Sequence, residues 1–118
     1  MQMSRIDMDY LRRYTGDDDT LVAEVLGMFG EQVEMWLRTL DPHSDADVWT
    51  SAAHALKGSA ATVGAHRLGE LCGRAEDSQA DTAGKQWLRD EIEAEAGEVQ
   101  AEIQRWQYKR TMKDLRKG

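Results

Sequence analysis

His54, Lys57 and Glu76 are the residues of this chain whose types and spacing could do chemistry. On a helix that advances about 100° per residue, Val48, Ala52, Leu56, Ser59 and Val63 gather roughly 120–200° away from His54 and form an apolar stripe. The histidine is not needed to fill that core. On its own side fall Lys57 at about −60°, Gly58 at about 40°, Ala61 at about −20° and Ala65 at about 20°. Side chains this small leave an imidazole standing above a low surface, which a large partner can approach without displacing bulk. Gly58, Ala61 and Ala65 are therefore the expected docking positions, with Gly58 costing roughly 1 kcal/mol of helix stability relative to alanine. Lys57 sets a positive charge within reach of anything negative attached to the ring. Histidine as a side-chain type is mostly neutral and nucleophilic at neutral pH. The combination suits a histidine that accepts a phosphoryl group, with the lysine offsetting charge on its oxygens.

Glu76 enters through the hairpin. If two antiparallel helices turn near Gly64 and Ala65, residues equally far from Ala65 lie level, and Glu76 is as far after it as His54 is before it. The carboxylate is expected to hold one ring nitrogen protonated and leave the other free to attack. The same spacing sets Gly58 opposite Cys72 and Ala61 opposite Gly69, a run of small residues that lets the helices approach.

The elements that must position these residues are all helical. Proline occurs once, at Pro42, and Ala, Leu, Glu, Arg and Met dominate long stretches. A short helix is predicted between Asp7 and Tyr14, capped by Asp7 and stopped at Gly16. A second, opening at GDDDT, carries Leu21, Val22, Val25, Leu26, Phe29, Val33, Trp36, Leu37 and Leu40 at three- and four-residue steps. Pro42 ends it, and Ser44 or Asp45 can cap a third helix from about Asp45 to Val63. A fourth begins near His66, with Leu68, Leu71, Cys72 and Ala75 inward. After the loop DSQADTAG, a long helix from about Ala83 presents Leu88, Ile92, Ala96, Val99, Ile103 and Trp106. It reaches on the order of 45 Å, acidic early and basic late in keeping with the helix dipole, and its basic end is expected to project into solvent. The remaining Trp and Met residues at helical spacing read as core. The fold predicted is an all-α, antiparallel four-helix bundle with a short N-terminal helix and a long C-terminal one, forming a single domain over residues 1–118.

Composition narrows the function. The chain has 118 residues, 41% hydrophobic and 31% charged, as in an ordinary globular domain. A net charge of −7 argues against nucleic acid, whose phosphates need clustered Lys and Arg. One cysteine, Cys72, allows no intrachain disulfide and no thiolate metal cluster, and reads as a small buried filler. His43, His54 and His66 lack ligand spacing for a metal; His43 and His66 read as structural or solvated. Neither a signal peptide nor a membrane span is recognisable, so a cytoplasmic monomer with no membrane partner is expected.

The stretch from Ala53 to Glu76, with its histidine, the Leu-Lys-Gly-Ser that follows, the Gly-Ala pair at Gly64 and Ala65, Leu68 and the acid at Glu76, resembles the signature of histidine-containing phosphotransfer (HPt) domains of multistep phosphorelays. The resemblance covers about Ile6 to Ala80. It implies that His54 takes a phosphoryl group from an aspartate on one receiver domain, of a response regulator or hybrid histidine kinase, and gives it to another. It also implies a carrier with no ATP site and no intrinsic cofactor, the Mg²⁺ of the exchange belonging to the receiver. Carried onto this chain, Lys57 supports the phosphoryl group, Gly58 gives the partner clearance and Glu76 orients the imidazole. Ala60 stands where many members have a second small hydroxyl residue after the Lys-Gly-Ser. Two other readings compete. A sensor-kinase dimerisation domain usually follows its histidine with Glu or Asp and then Pro, whereas Ala55 follows here and no proline does. An HPt-like module could instead dock a receiver without relaying phosphate.

Overall fold

The computed structural model describes residues 4–117. Five helices follow in order: α1 (Met8–Thr15), α2 (Asp19–Thr39), α3 (Ala46–Thr62), α4 (His66–Glu76) and α5 (Thr82–Lys117), with no strand among the described residues. Asp7 caps α1 by accepting from the Tyr10 amide at 3.0 Å, and Gly16 ends it at φ +65°. Asp18 caps α2 in the same way, accepting from the Thr20 and Leu21 amides. Asp45 takes the N-cap position of α3 without a side-chain bond, and Ser44, the other candidate cap, donates its Oγ to the Asp41 carbonyl.

α2 packs on α3 and α5, and α4 packs on α3 and α5, which makes a ring of four helices with α3 and α5 on opposite corners. Their directions alternate. Arg89, early in α5, donates to the Leu37 and Leu40 carbonyls at the end of α2, while Arg110, late in α5, reaches Thr20 at its start. Val22, Leu26, Phe29 and Val33 from α2, Ala52, Leu56 and Val63 from the α3 segment, Leu68, Cys72 and Ala75 from α4, and Ile92, Ala96, Val99 and Ile103 from α5 fill the interior.

Three expectations about the core fail in detail. Val48 is 43% exposed and Trp49 takes its place inside, 1% exposed, because the first turn of α3 turns the larger surface inward. Leu21, at the first turn of α2, lies at the rim of the bundle. Met28, Met35, Met112 and Trp87 are exposed, so only some of the Trp and Met residues are core.

The chain before α1 is tied down by contacts that its sequence does not announce. Glu102 of α5 accepts from the Arg5 and Ile6 amides and from Ser4 Oγ. Arg5 also pairs with the buried carboxylate of Glu95, which Arg67 approaches at 3.3 Å. Asp7 then donates its amide to the Gly64 carbonyl at 3.0 Å. Gly64 has φ +70°, and a Cβ there would sit 2.9 Å from the Asp7 carbonyl oxygen, so only glycine serves at this turn. Beyond Arg110 the last turns of α5 are exposed, and the molecule is 54 Å long. No helix among the described residues is long and apolar enough to cross a membrane.

Candidate functional site

The site is built on the α3–α4 hairpin. Trp49 Nε1 donates to the Ala75 carbonyl at 2.7 Å, joining the first turn of α3 to the last turn of α4. At the other end, the Ala65 amide donates to the Ala60 carbonyl at 2.9 Å. Between these ties Ala60 packs beside Gly69, where an added Cβ would lie 3.8 Å from that of Ala60. Ala60, not Ala61, therefore meets Gly69, and Gly58 looks into open space rather than at Cys72. The small-residue contact is real but lies one residue off the expected register.

His54 projects from this frame with its side chain 70% exposed. Its Nδ1 lies 2.8 Å from Oε1 of Glu76, the partner expected from the spacing. The carboxylate is largely covered, and its second oxygen, Oε2, takes Lys57 Nζ at 2.7 Å. The lysine stem crosses Gly73 on its way, with Cδ 3.7 Å from where a Cβ at that position would sit. One carboxylate thus bridges the two nitrogenous side chains. The ammonium of Lys57 first, and the His54 hydrogen bond second, hold the Glu76 carboxyl below the usual carboxylate range against the opposing effect of its partial burial. Lys57 is raised in turn, chiefly by its hydrogen bond to Glu76. Because Glu76 stays ionised and occupies Nδ1, the arrangement favours the tautomer with a proton on Nδ1 and a free lone pair on Nε2.

The surface around the ring is low, as expected, at Gly58 and Ala61, both exposed. Ala65 is not part of it. At 1% exposure it is the buried N-cap of α4, because the chain has already turned into the hairpin there and no longer follows the α3 wheel. Two residues that patterning assigned to the core belong to the exterior instead. Met28 and Met35 of α2, 57% and 45% exposed, stand one turn either side of Gln32, whose Oε1 accepts from Ser59 Oγ of α3. On the α2 wheel both fall about 100–120° from Phe29, outside the stripe of buried residues, so their position on the helix decides against their apolar character.

His66 lies apart from this site, 3.2 Å from Asp7 by its Nε2, and His43 is an exposed loop residue. Among the described residues, no three His, Cys, Asp or Glu side chains are grouped to hold a metal ion. Cys72 is buried, and that burial pushes its thiol up to about 12.

A helical bundle that exposes a carboxylate-oriented imidazole above small residues defines a class of phosphotransfer scaffold. Residues 22–109 match the family described as Hpt domain. The chain belongs to that family, and its role is that of an Hpt protein in a phosphorelay. It is similar over 95% of its length, and over 99% of the other chain, to the crystal structure of histidine phosphotransferase ShpA from Caulobacter crescentus, with 30% identity and a TM-score of 0.76. No sequence among curated proteins matches it.

Proposed function

We propose that this protein shuttles a phosphoryl group between receiver-domain aspartates, carrying it on Nε2 of His54. The observation that carries this reading is the 2.8 Å contact of Nδ1 with Glu76 on a ring that is otherwise open. In the forward step the Nε2 lone pair attacks the phosphorus of an aspartyl phosphate, the P–O bond to the aspartate breaks, and the aspartate leaves as a carboxylate. No proton needs to move. The ring gains positive charge as the N–P bond forms, and Glu76, still bonded to Nδ1–H, stabilises it. The return step reverses these events on a second receiver. The Mg²⁺ required for in-line transfer is proposed to sit in the receiver, and the protein acts as a carrier rather than a kinase. Receivers that meet this carrier in a reducing cytoplasm suit a chain whose one thiol is free.

The test mixes the protein with a phosphorylated receiver from its own organism. Labelling should appear at a site labile to acid and stable to base, as a phosphoramidate is, and its absence with every receiver would overturn the proposal. Lys57→Ala should slow transfer by roughly 10- to 100-fold, less than the roughly 100- to 1000-fold of a buried charge-stabilising contact, because the lysine is 44% exposed and partly screened by water. The helix should survive, since alanine is the better helix former. An unchanged single-turnover rate would remove the lysine from the mechanism. Gly58→Gln tests clearance separately: a side chain rising beside His54 should weaken receiver docking about 10-fold or more while leaving the His54–Glu76 contact intact, as titration against a receiver would show.

A further inference from the structure

Gly73 lies inside α4, where every residue type except proline makes a better helix. It is only half-buried, so the core does not require a missing side chain there. Four residues before it, Gly69 faces the methyl group of Ala60 across the hairpin. A Cβ added at Gly73 would meet a different neighbour: among the described residues, Cδ of Lys57 is the one atom of another element within 4 Å, at 3.7 Å. Gly73 also stands three residues before Glu76, on the same face of the helix. The lysine stem therefore passes over the glycine to the carboxylate one turn on, where Nζ lies 2.7 Å from Oε2.

Lys57 is the loosest member of the site. Its side chain is 44% exposed, and an ion pair so open to water stabilises little against the freedom of a long, flexible stem. A clear path along α4 tips that balance, because the methylenes cover the helix surface while the ammonium reaches the carboxylate. We infer that Gly73 is a positioning residue for phosphoryl transfer: by leaving the path of the stem open, it places the Lys57 ammonium on Glu76 and beside His54. The cation is then next to the ring before a receiver arrives, instead of sampling solvent.

A methyl group at position 73 fits, since 3.7 Å is an ordinary carbon contact. A branched side chain does not, because its γ-carbons extend toward the stem and in a helix valine keeps largely to one rotamer. Displaced, the lysine moves into open solvent and leaves both Glu76 and the ring. The effect on transfer rests on the proposed relay through His54, whereas the effect on Glu76 does not.

Single-turnover transfer from a phosphorylated receiver should slow by roughly 10-fold in Gly73→Val, within the range of losing the lysine itself. Gly73→Ala should return the rate to within about 2-fold of the parent. Both variants should keep their helical circular dichroism, as alanine and valine are better helix formers than glycine. In a Lys57→Ala background, Gly73→Val should slow transfer no further, because no stem remains to be displaced. The second readout needs no receiver. NMR titration of the Glu76 carboxyl carbon should show its midpoint moving up toward the usual carboxylate range in Gly73→Val, as in Lys57→Ala, since the Lys57 ammonium is first among the groups that hold it down. A midpoint unmoved by Gly73→Val would overturn the inference, as would a slowing of equal size with and without Lys57. A parent chain that accepts no label would instead overturn the relay, and the Glu76 midpoint would still decide whether Gly73 places the lysine.

Discussion

His54→Ala should accept no phosphoryl group from any receiver and still fold and dock. The variant removes the attacking nitrogen but little else, because the ring is 70% exposed and contributes nothing to the core. Alanine is also the better helix former at that position. Glu76 keeps Lys57 as a partner, so no buried charge is left unpaired. Circular dichroism and the thermal midpoint should stay near those of the parent chain, receiver affinity should change by no more than a few fold, and acid-labile label should vanish completely. The three readouts separate a relay from a module that merely holds a receiver. A holding module would lose nothing when its histidine goes, and label persisting in His54→Ala would place the phosphoryl group elsewhere.

Trp49→Ala should produce the largest loss of stability, about 3–5 kcal/mol, the usual cost of emptying a buried tryptophan site. Denaturant titration should report it, with a fall in Tm on the order of 10–20 °C. Trp49 is 1% exposed, and its Nε1 satisfies the carbonyl of Ala75, the residue before Glu76. Removing it opens a cavity between α3 and α4 and frees the end of the helix that carries Glu76. The transfer rate should therefore fall even at temperatures where the variant is folded. Trp49→Phe, which keeps most of the ring volume but not the N–H, should recover most of the stability. A loss under 1 kcal/mol for Trp49→Ala would show that the hairpin does not lean on this residue.

The His54–Glu76 contact was legible because long side chains absorb the one-residue offset that made the same count about Ala65 miss the Ala60–Gly69 contact. The helix bounds were legible for another reason: Asp7, Asp18, Gly16 and Gly64 are strong local signals whose effect does not wait on tertiary packing. Patterning misled wherever two neighbouring residues could both face inward. Val48 and Trp49 differ by one step on the wheel, and burial of the larger side chain decides between them. Ala65 was assigned to the exposed face by extending the α3 wheel past its end, where a glycine at φ +70° had already turned the chain. The clasp of residues 4–6 on Glu102 and Glu95 left no trace in local sequence, since it joins residues ninety or more positions apart through ordinary charged side chains. Lys57 was legible as a cation near the ring, but not its bond to Glu76, which depends on a long stem finding the groove over Gly73.

Cys72 shares that hairpin with the site and faces the other way. A thiol reacts as its thiolate, and one that is fully buried and pushed up to about 12 is almost never ionised at neutral pH. The hairpin therefore keeps its sulfur closed to peroxides and electrophiles for as long as α3 and α4 stay packed. Oxidation of this sulfur therefore waits on the hairpin, and the sulfur becomes chargeable only when the hairpin opens. In the closed state nitrogen is the available nucleophile of this hairpin and sulfur is the silent one.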